Sequence, residues 1–210
     1  MPLVLEGIVA TTDAAGAPHL APMGPHVADG ERLRPRSLLL RPFADSRTAV
    51  HLERHPEGVF HVVDDCVLLA RLVTGDRVPP AVGRAAAIDG WVLEDCCRAF
   101  EFRIVAADRG GERQTLTAEV LRIDDRRPGF GWNRAAAAVV EGAVHVTRLH
   151  LLGPAEVARR LGELAATVEK TGGEREREAF RMLVSAAADG RYAGDGQGPT
   201  AGAFADRPSC

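Results

Sequence analysis

The chain has 210 residues, 46% of them hydrophobic and 26% charged, with a formal net charge of −3; this is the balance of an ordinary folded domain and excludes wholesale disorder. Acidic and basic residues are mixed along it, so no basic block offers a counterion-releasing surface and nucleic acid is not an expected partner. No run approaches the roughly 18 uninterrupted apolar residues of a spanning helix, so no membrane association is expected either.

The opening stretch MPLVLEGIVATTD lacks a basic leader and meets Glu6 early, which makes the cytoplasm the expected location. LVLEGIVATT is short and rich in Val, Leu and Ile and predicts a first strand. DAAGAP at 13–18 supplies turn residues and leads to a second strand-like stretch, HLAPMGPHV at 19–27. Pro22, Gly24 and Pro25 interrupt it, because proline donates nothing to a ladder and glycine lets another group approach the backbone. Two readings stand: an edge strand with a bulge, or backbone groups near Met23–His26 left to meet a planar heterocycle that needs both donors and acceptors.

After a link at 28–36, RSLLL predicts the next strand, and RPFADSRTAVHLERHP follows it. Asp45 or Ser46 can start a helix through Thr48, Ala49 and Leu52 that Pro56 terminates. Arg41, Ser46, Arg47 and Thr48 then share one turn. Exposed helix N–H groups, the positive end of the helix dipole, two hydroxyls and two guanidinium groups form a phosphate cradle. Simple capping with solvated arginines is the competing reading, and the Asp45 carboxylate would contend for the same N–H groups.

EGVFHVV and FEFRIVAA predict further strands, with GDRVPPAVG at 75–83 an irregular excursion. Links this short imply antiparallel pairing, since parallel neighbours need crossovers of about a dozen residues or more. Beyond residue 130 the period changes. AAAAVVEGAVHVTRLHLL predicts a buried helix despite Gly142; PAEVARRLGELAATVEK, opened by Pro154, and REREAFRMLVSAA predict a helical hairpin. The Gly- and Pro-rich tail carries no usable periodicity and is expected to be mobile. The fold class is mainly β with appended helices, an antiparallel barrel of about six strands. The expected divisions are a barrel domain at 1–128, a helical subdomain at 129–190 and a tail at 191–210.

Cysteines 66, 96, 97 and 210 lack C-x-x-C spacing, and the seven histidines show no ligand spacing such as H-E-x-x-H, so no metal site is expected. Asp64 and Asp65 are strand neighbours whose side chains diverge, which argues against an acid–base pair. Trp91 and Trp132 read as packing groups, and His61 as a satisfied core or surface histidine.

Taken together, LEGIVATT, HLAPMGP, LLLRPFADSRTAVHLERHPEGVFHVVDD, FEFRIV, WNRAAAAVVEGAVHVTRLHLL and EKTGG resemble the DUF447 family of the FMN-binding split-barrel, flavin reductase-like group. The resemblance implies a split β-barrel, a homodimer and one FMN per subunit near the dimer interface. It also implies that Arg41, Ser46, Arg47 and Thr48 hold the FMN phosphate and that Met23, Gly24 and Pro25 lie along the isoalloxazine ring. Asn133 and Arg134, opening the long helix, are carried over as cofactor or substrate contacts. Family members are expected to carry a basic residue and a histidine soon after this run, where Ala136 and Ala137 stand here. The expected function is an FMN-dependent oxidoreductase acting between a reduced donor and a small-molecule acceptor. The alternatives are a non-catalytic flavin- or pterin-binding module and a ligand-free interaction protein.

Overall fold

The computed structural model describes residues 3–31, 33–75, 80–129, 131 and 133–192. They form two compact units: residues up to Val63 with Pro80–Gly129, and the segment beginning at Asp64 with the chain after 130. Trp132, and the tail expected from 191 beyond Tyr192, lie outside the described residues.

The first unit begins with four short strands, β1 (Leu3–Val4), β2 (Gly7–Thr12), β3 (Pro18–Met23) and β4 (His26–Val27). They are two bent strands of one hairpin. Pairing runs from Leu3↔Val27 and Val4↔His26 to Gly7↔Met23 and on to Thr12↔Pro18 without a change of register. The Leu5 N–H donates to the Pro25 carbonyl at 3.0 Å across the bend. At the turn, Asp13 Oδ1 accepts from the Ala15 and Ala17 amides, both at 2.8 Å, and Gly16 takes φ 82°, the conformation that favours glycine.

The unit continues through β5 (Ser37–Leu40), α1 (Arg47–Arg54), β6 (Glu57–Val62), a hairpin of β7 (Val82–Arg84) and β8 (Trp91–Leu93), and two long strands, β9 (Arg98–Asp108) and β10 (Thr115–Asp125). Pairing runs β4–β5–β10–β9–β6–β2, antiparallel throughout. Because β2 and β4 belong to the same bent hairpin, six strand paths close into a ring, which is the expected antiparallel barrel. The ring is split along one seam: among the described residues, β4 meets β5 only at His26↔Leu39, and β3 pairs only with β2.

Alternation fills the barrel with Val9, Leu38, Leu40, Phe60, Phe100, Phe102, Leu116 and Ala118, and α1 adds Leu52. Each of these side chains except that of Ala118 contributes about 1.5–3 kcal/mol by leaving water. The opposite face of β2 is covered as well, so all six of its residues are buried. There His61, with no exposed surface, bonds through Nδ1 to the Ile8 carbonyl and accepts from the Leu93 amide at Nε2, both at 3.1 Å. These partners fix a neutral ring with the proton on Nδ1, and burial pushes its pKa down to about 4. Glu101, likewise buried, accepts from the Ala86 and Ala87 amides and pins the loop that leads to β8.

The second unit holds α2 (Cys66–Thr74), α3 (Arg134–Thr147), the single turn α4 (Leu149–Leu152), α5 (Pro154–Thr171) and α6 (Glu174–Ala188). The later helices match the sequence periodicity. α2 was not among the elements predicted from the sequence: CVLLARLVT is apolar on most sides, so neither period stands out. Its signals are the Asp65 cap, whose Oδ1 accepts from the Val67 and Leu68 amides, and the left-handed Gly75 at φ 74°. Gly142 sits where a Cβ would come within 3.0 Å of Leu161 and 3.2 Å of Leu183, so α3 uses it to approach α5 and α6 closely.

Candidate cofactor-binding site

The turn between β5 and α1 is built as a rigid ledge on the β9–β10 hairpin. Arg113 donates to the Arg41 carbonyl at 3.0 Å and lays its guanidinium 3.7 Å above the Phe43 ring. The Gln114 amide donates to the Pro42 carbonyl, and the Ala44 amide to the Glu112 carbonyl, both at 2.9 Å. At the end of the ledge Ser46 caps α1: its Oγ donates to the Phe43 carbonyl at 2.7 Å and accepts from the Ala49 amide at 3.2 Å. Asp45 is exposed and takes no part in the cap, so its carboxylate does not occupy the helix start.

The four residues predicted to form a cradle therefore come together but take different parts. Arg41 is exposed and Arg47 half-buried. Ser46 has committed its only proton to Phe43, and Thr48 is 3% exposed, so these hydroxyls shape the helix start rather than face solvent. Having no preceding turn, the helix directs the amides of its first turn outward from its N-terminus. A positive helix end results, with Arg41 on the ledge before it, Arg47 as its first residue and no acidic residue in the first turn.

Beneath α1 lies a cluster that sequence reasoning did not single out. His51 Nδ1 is 3.0 Å from Thr11 Oγ1, and its ring meets His19 edge-on at 5.0 Å between centroids. Burial, the Arg47 charge and His51 together push His19 down to about 3, with Asp13 pulling the other way. Burial and the Arg54 charge also lower His51. Both rings are thus neutral near neutral pH.

The proline-interrupted stretch proves to be the edge strand β3 and the bend that follows it. The Pro25 carbonyl is taken by Leu5, and Met23 packs on the barrel core. The close approach expected at Gly24 comes from the chain itself: a Cβ there would lie 2.6 Å from Val4 Cγ1. Counting by twos from the Pro25–Leu5 bond turns Pro18, Leu20, Pro22 and Gly24 toward the open edge, where the two prolines cost no ladder bond. That edge offers carbonyls at each of these positions and N–H donors at Leu20 and Gly24. Next to it, a shallow groove of about 250 Å³ is lined by His26, Val27, Ala28, Ser37, Leu38, Leu39 and Thr117.

Asn133 and Arg134 open α3 in the helical unit, where Asn133 Oδ1 accepts from the Ala135 and Ala136 amides at 2.8 and 3.1 Å. Asn133 is thus a helix cap and Arg134 an exposed first-turn residue. Ala137 is exposed and Ala136 half-buried. Burial pushes the Cys66 and Cys96 thiols up to about 12 and about 11, which keeps them protonated. Trp91 donates to the Gly16 carbonyl and lies under Arg84, a packing role.

Comparison with known proteins gives a consistent picture. Residues 5–126 match the N-terminal domain of a family described as a protein of unknown function, DUF447, and residues 133–185 match a second segment under the same description. An FMN-bound DUF447 protein from Methanosarcina mazei superposes with a TM-score of 0.76 at 21% identity, over 87% of this chain and 94% of its own. The 2-nitrobenzoate 2-nitroreductase of Pseudomonas fluorescens superposes with a TM-score of 0.50 at 15% identity, over 60% of this chain and 64% of its own. At such identities the likeness is one of fold. With the barrel, its seam and the helical part in place, and family matches running through both units, the chain belongs to the DUF447 family and has its split-barrel architecture.

Proposed function

We propose that the protein binds FMN, with the phosphate at the start of α1 and the ring beside the β3–β4 bend, and that it works as an FMN-dependent oxidoreductase. The observation that carries this reading is the capped, acid-free helix start with Arg41 and Arg47 at its mouth, which suits a phosphate dianion. The M. mazei relative, described as FMN-bound, supports the choice of ligand. Arg41 and Arg47 supply charge, and the first turn of α1, which holds Thr48, supplies N–H donors. Ser46 holds those amides in place, and Met23, Gly24 and Pro25 set the edge along which the ring lies. Asn133 and Arg134 remain proposed as contacts to cofactor or substrate.

Bound FMN supplies hydride and electron transfer; the chain supplies placement and electrostatics. Guanidinium groups and amides bind without exchanging protons at neutral pH, and the two imidazoles beneath α1 are held neutral. That favours hydride passage between a reduced donor and an acceptor over acid–base chemistry. That no acid–base pair stands out among the described residues favours, as second reading, a module that only carries a flavin or pterin. A homodimer is part of this reading, and it would give cover to exposed hydrophobic residues such as Val105 and Leu121, 57% and 37% exposed on β9 and β10.

Stopped-flow mixing of FMN-loaded protein with NADH or NADPH separates the two readings. Multiple turnovers that bleach and restore the flavin band support the enzyme. Bound flavin that neither nucleotide reduces supports the carrier.

A further inference from the structure

We infer that His51 is a positioning residue for the α1 start: with Thr11 and His19 as its seat, it locks α1 onto the β2–β3 hairpin and so fixes the aim of Arg47. This rests on the FMN reading, because Arg47 is taken to meet the phosphate. Helical spacing carries the first step: Arg47, His51 and Arg54 stand at i, i+4 and i+7 of α1 and share one stripe. The hairpin presents a matching row. Thr11 is opposite His19 in the β2–β3 register, so their side chains stand side by side on one face. His51 meets both, with Nδ1 3.0 Å from Thr11 Oγ1 and its ring edge-on to His19. Arg54 ends the stripe by donating to the Thr12 carbonyl at 2.7 Å. Two of the three stripe residues are therefore tied to the hairpin, one and two turns beyond Arg47.

Chemistry explains why an imidazole stands there. Thr11 and His51 are 2% and 8% exposed, so an apolar residue at 51 would leave a buried hydroxyl without this partner. A permanent cation would instead stand against Arg47 and Arg54. Burial opposes a proton on either ring, Arg47 adds to that at both and Arg54 at His51, while Asp13 at the hairpin turn favours one. His51 thus anchors the helix and leaves the positive charge at its start to Arg41 and Arg47. Buried under α1, it offers a ligand no face of its own. Its effect on binding passes through Arg47, which is half-buried and heads the same stripe.

Calorimetric titration of the full-length protein with FMN tests this through His51→Leu, Arg47→Ala and the double variant. Each single change should weaken FMN by about 10-fold, and the pair should lose little beyond either one, since a seat for Arg47 matters only while Arg47 is present. His51→Asn, whose Oδ1 can take the place of Nδ1 beside Thr11, should bind FMN within about 2-fold of native protein. If native protein binds FMN but the two losses multiply, or either single variant binds as tightly as native, His51 does not act through Arg47 and the inference is overturned. Should His51→Leu not fold, Thr11→Val, which deletes the hydroxyl partner at nearly constant shape, takes its place in the cycle and is read in the same way. If native protein does not bind FMN, the FMN reading itself fails.

Discussion

Ser46 gives its proton to Phe43 and takes the Ala49 amide, so one hydroxyl ends the ledge and begins α1. Ser46→Ala should lower stability by about 1 kcal/mol, read in a denaturant melt, because a cap is lost and an amide is left unpaired. Arg41 makes the complementary case. Exposed, and held by its carbonyl rather than its guanidinium, it should tolerate Arg41→Ala with an unchanged melt. The same change should weaken FMN by about 1.5–3 kcal/mol in calorimetric titration, the scale of hydrogen bonds to charged groups. A variant that melts early but binds normally would move Arg41 from the site to the scaffold.

At the scale of elements, Gly142 fixes how closely α3 approaches α5 and α6. Gly142→Val should destabilise the helical unit by about 1–3 kcal/mol through overpacking, seen as a lower midpoint in thermal unfolding. Much of the element pattern was legible in the sequence, each time for a local reason. Asp13 and Gly16 marked the hairpin turn, Ser46 and Pro56 bounded α1, and Pro154 opened α5. α2 was hidden because its apolar residues follow neither period clearly. The groove was hidden for another reason: His26, Leu39 and Thr117 are far apart along the chain and meet only through register. The residues of the proposed cradle could be named together because they are sequence neighbours, but the part each takes in the turn could not. Nothing local says that Ser46 spends its proton on Phe43 or that Thr48 is buried.

For the molecule as a whole, two histidines held neutral, the buried His61 and the half-buried His19, set a pH dependence. His61 is held down to about 4 and His19 to about 3, whereas in the unfolded chain they titrate near 6.5. Between these values the unfolded state binds more protons, so the stabilisation is complete above pH 6.5 and is lost as pH falls toward the folded-state values. At pH 4 His61 alone should cost roughly 3 kcal/mol relative to pH 7. Urea midpoints measured from pH 7 to pH 4 should fall steadily, and His61→Gln should flatten part of the slope. A midpoint that stays constant over this range would mean that the rings are hydrated.

The proposed binding of FMN draws the scales together, since on that reading it would call on the Arg41 guanidinium, the α1 start and the closed barrel at once. The most direct test is the visible spectrum of purified protein titrated with FMN. The expected result is saturation at one flavin per chain, with shifted absorbance bands and altered fluorescence. A spectrum that remains that of free FMN at every concentration would contradict it.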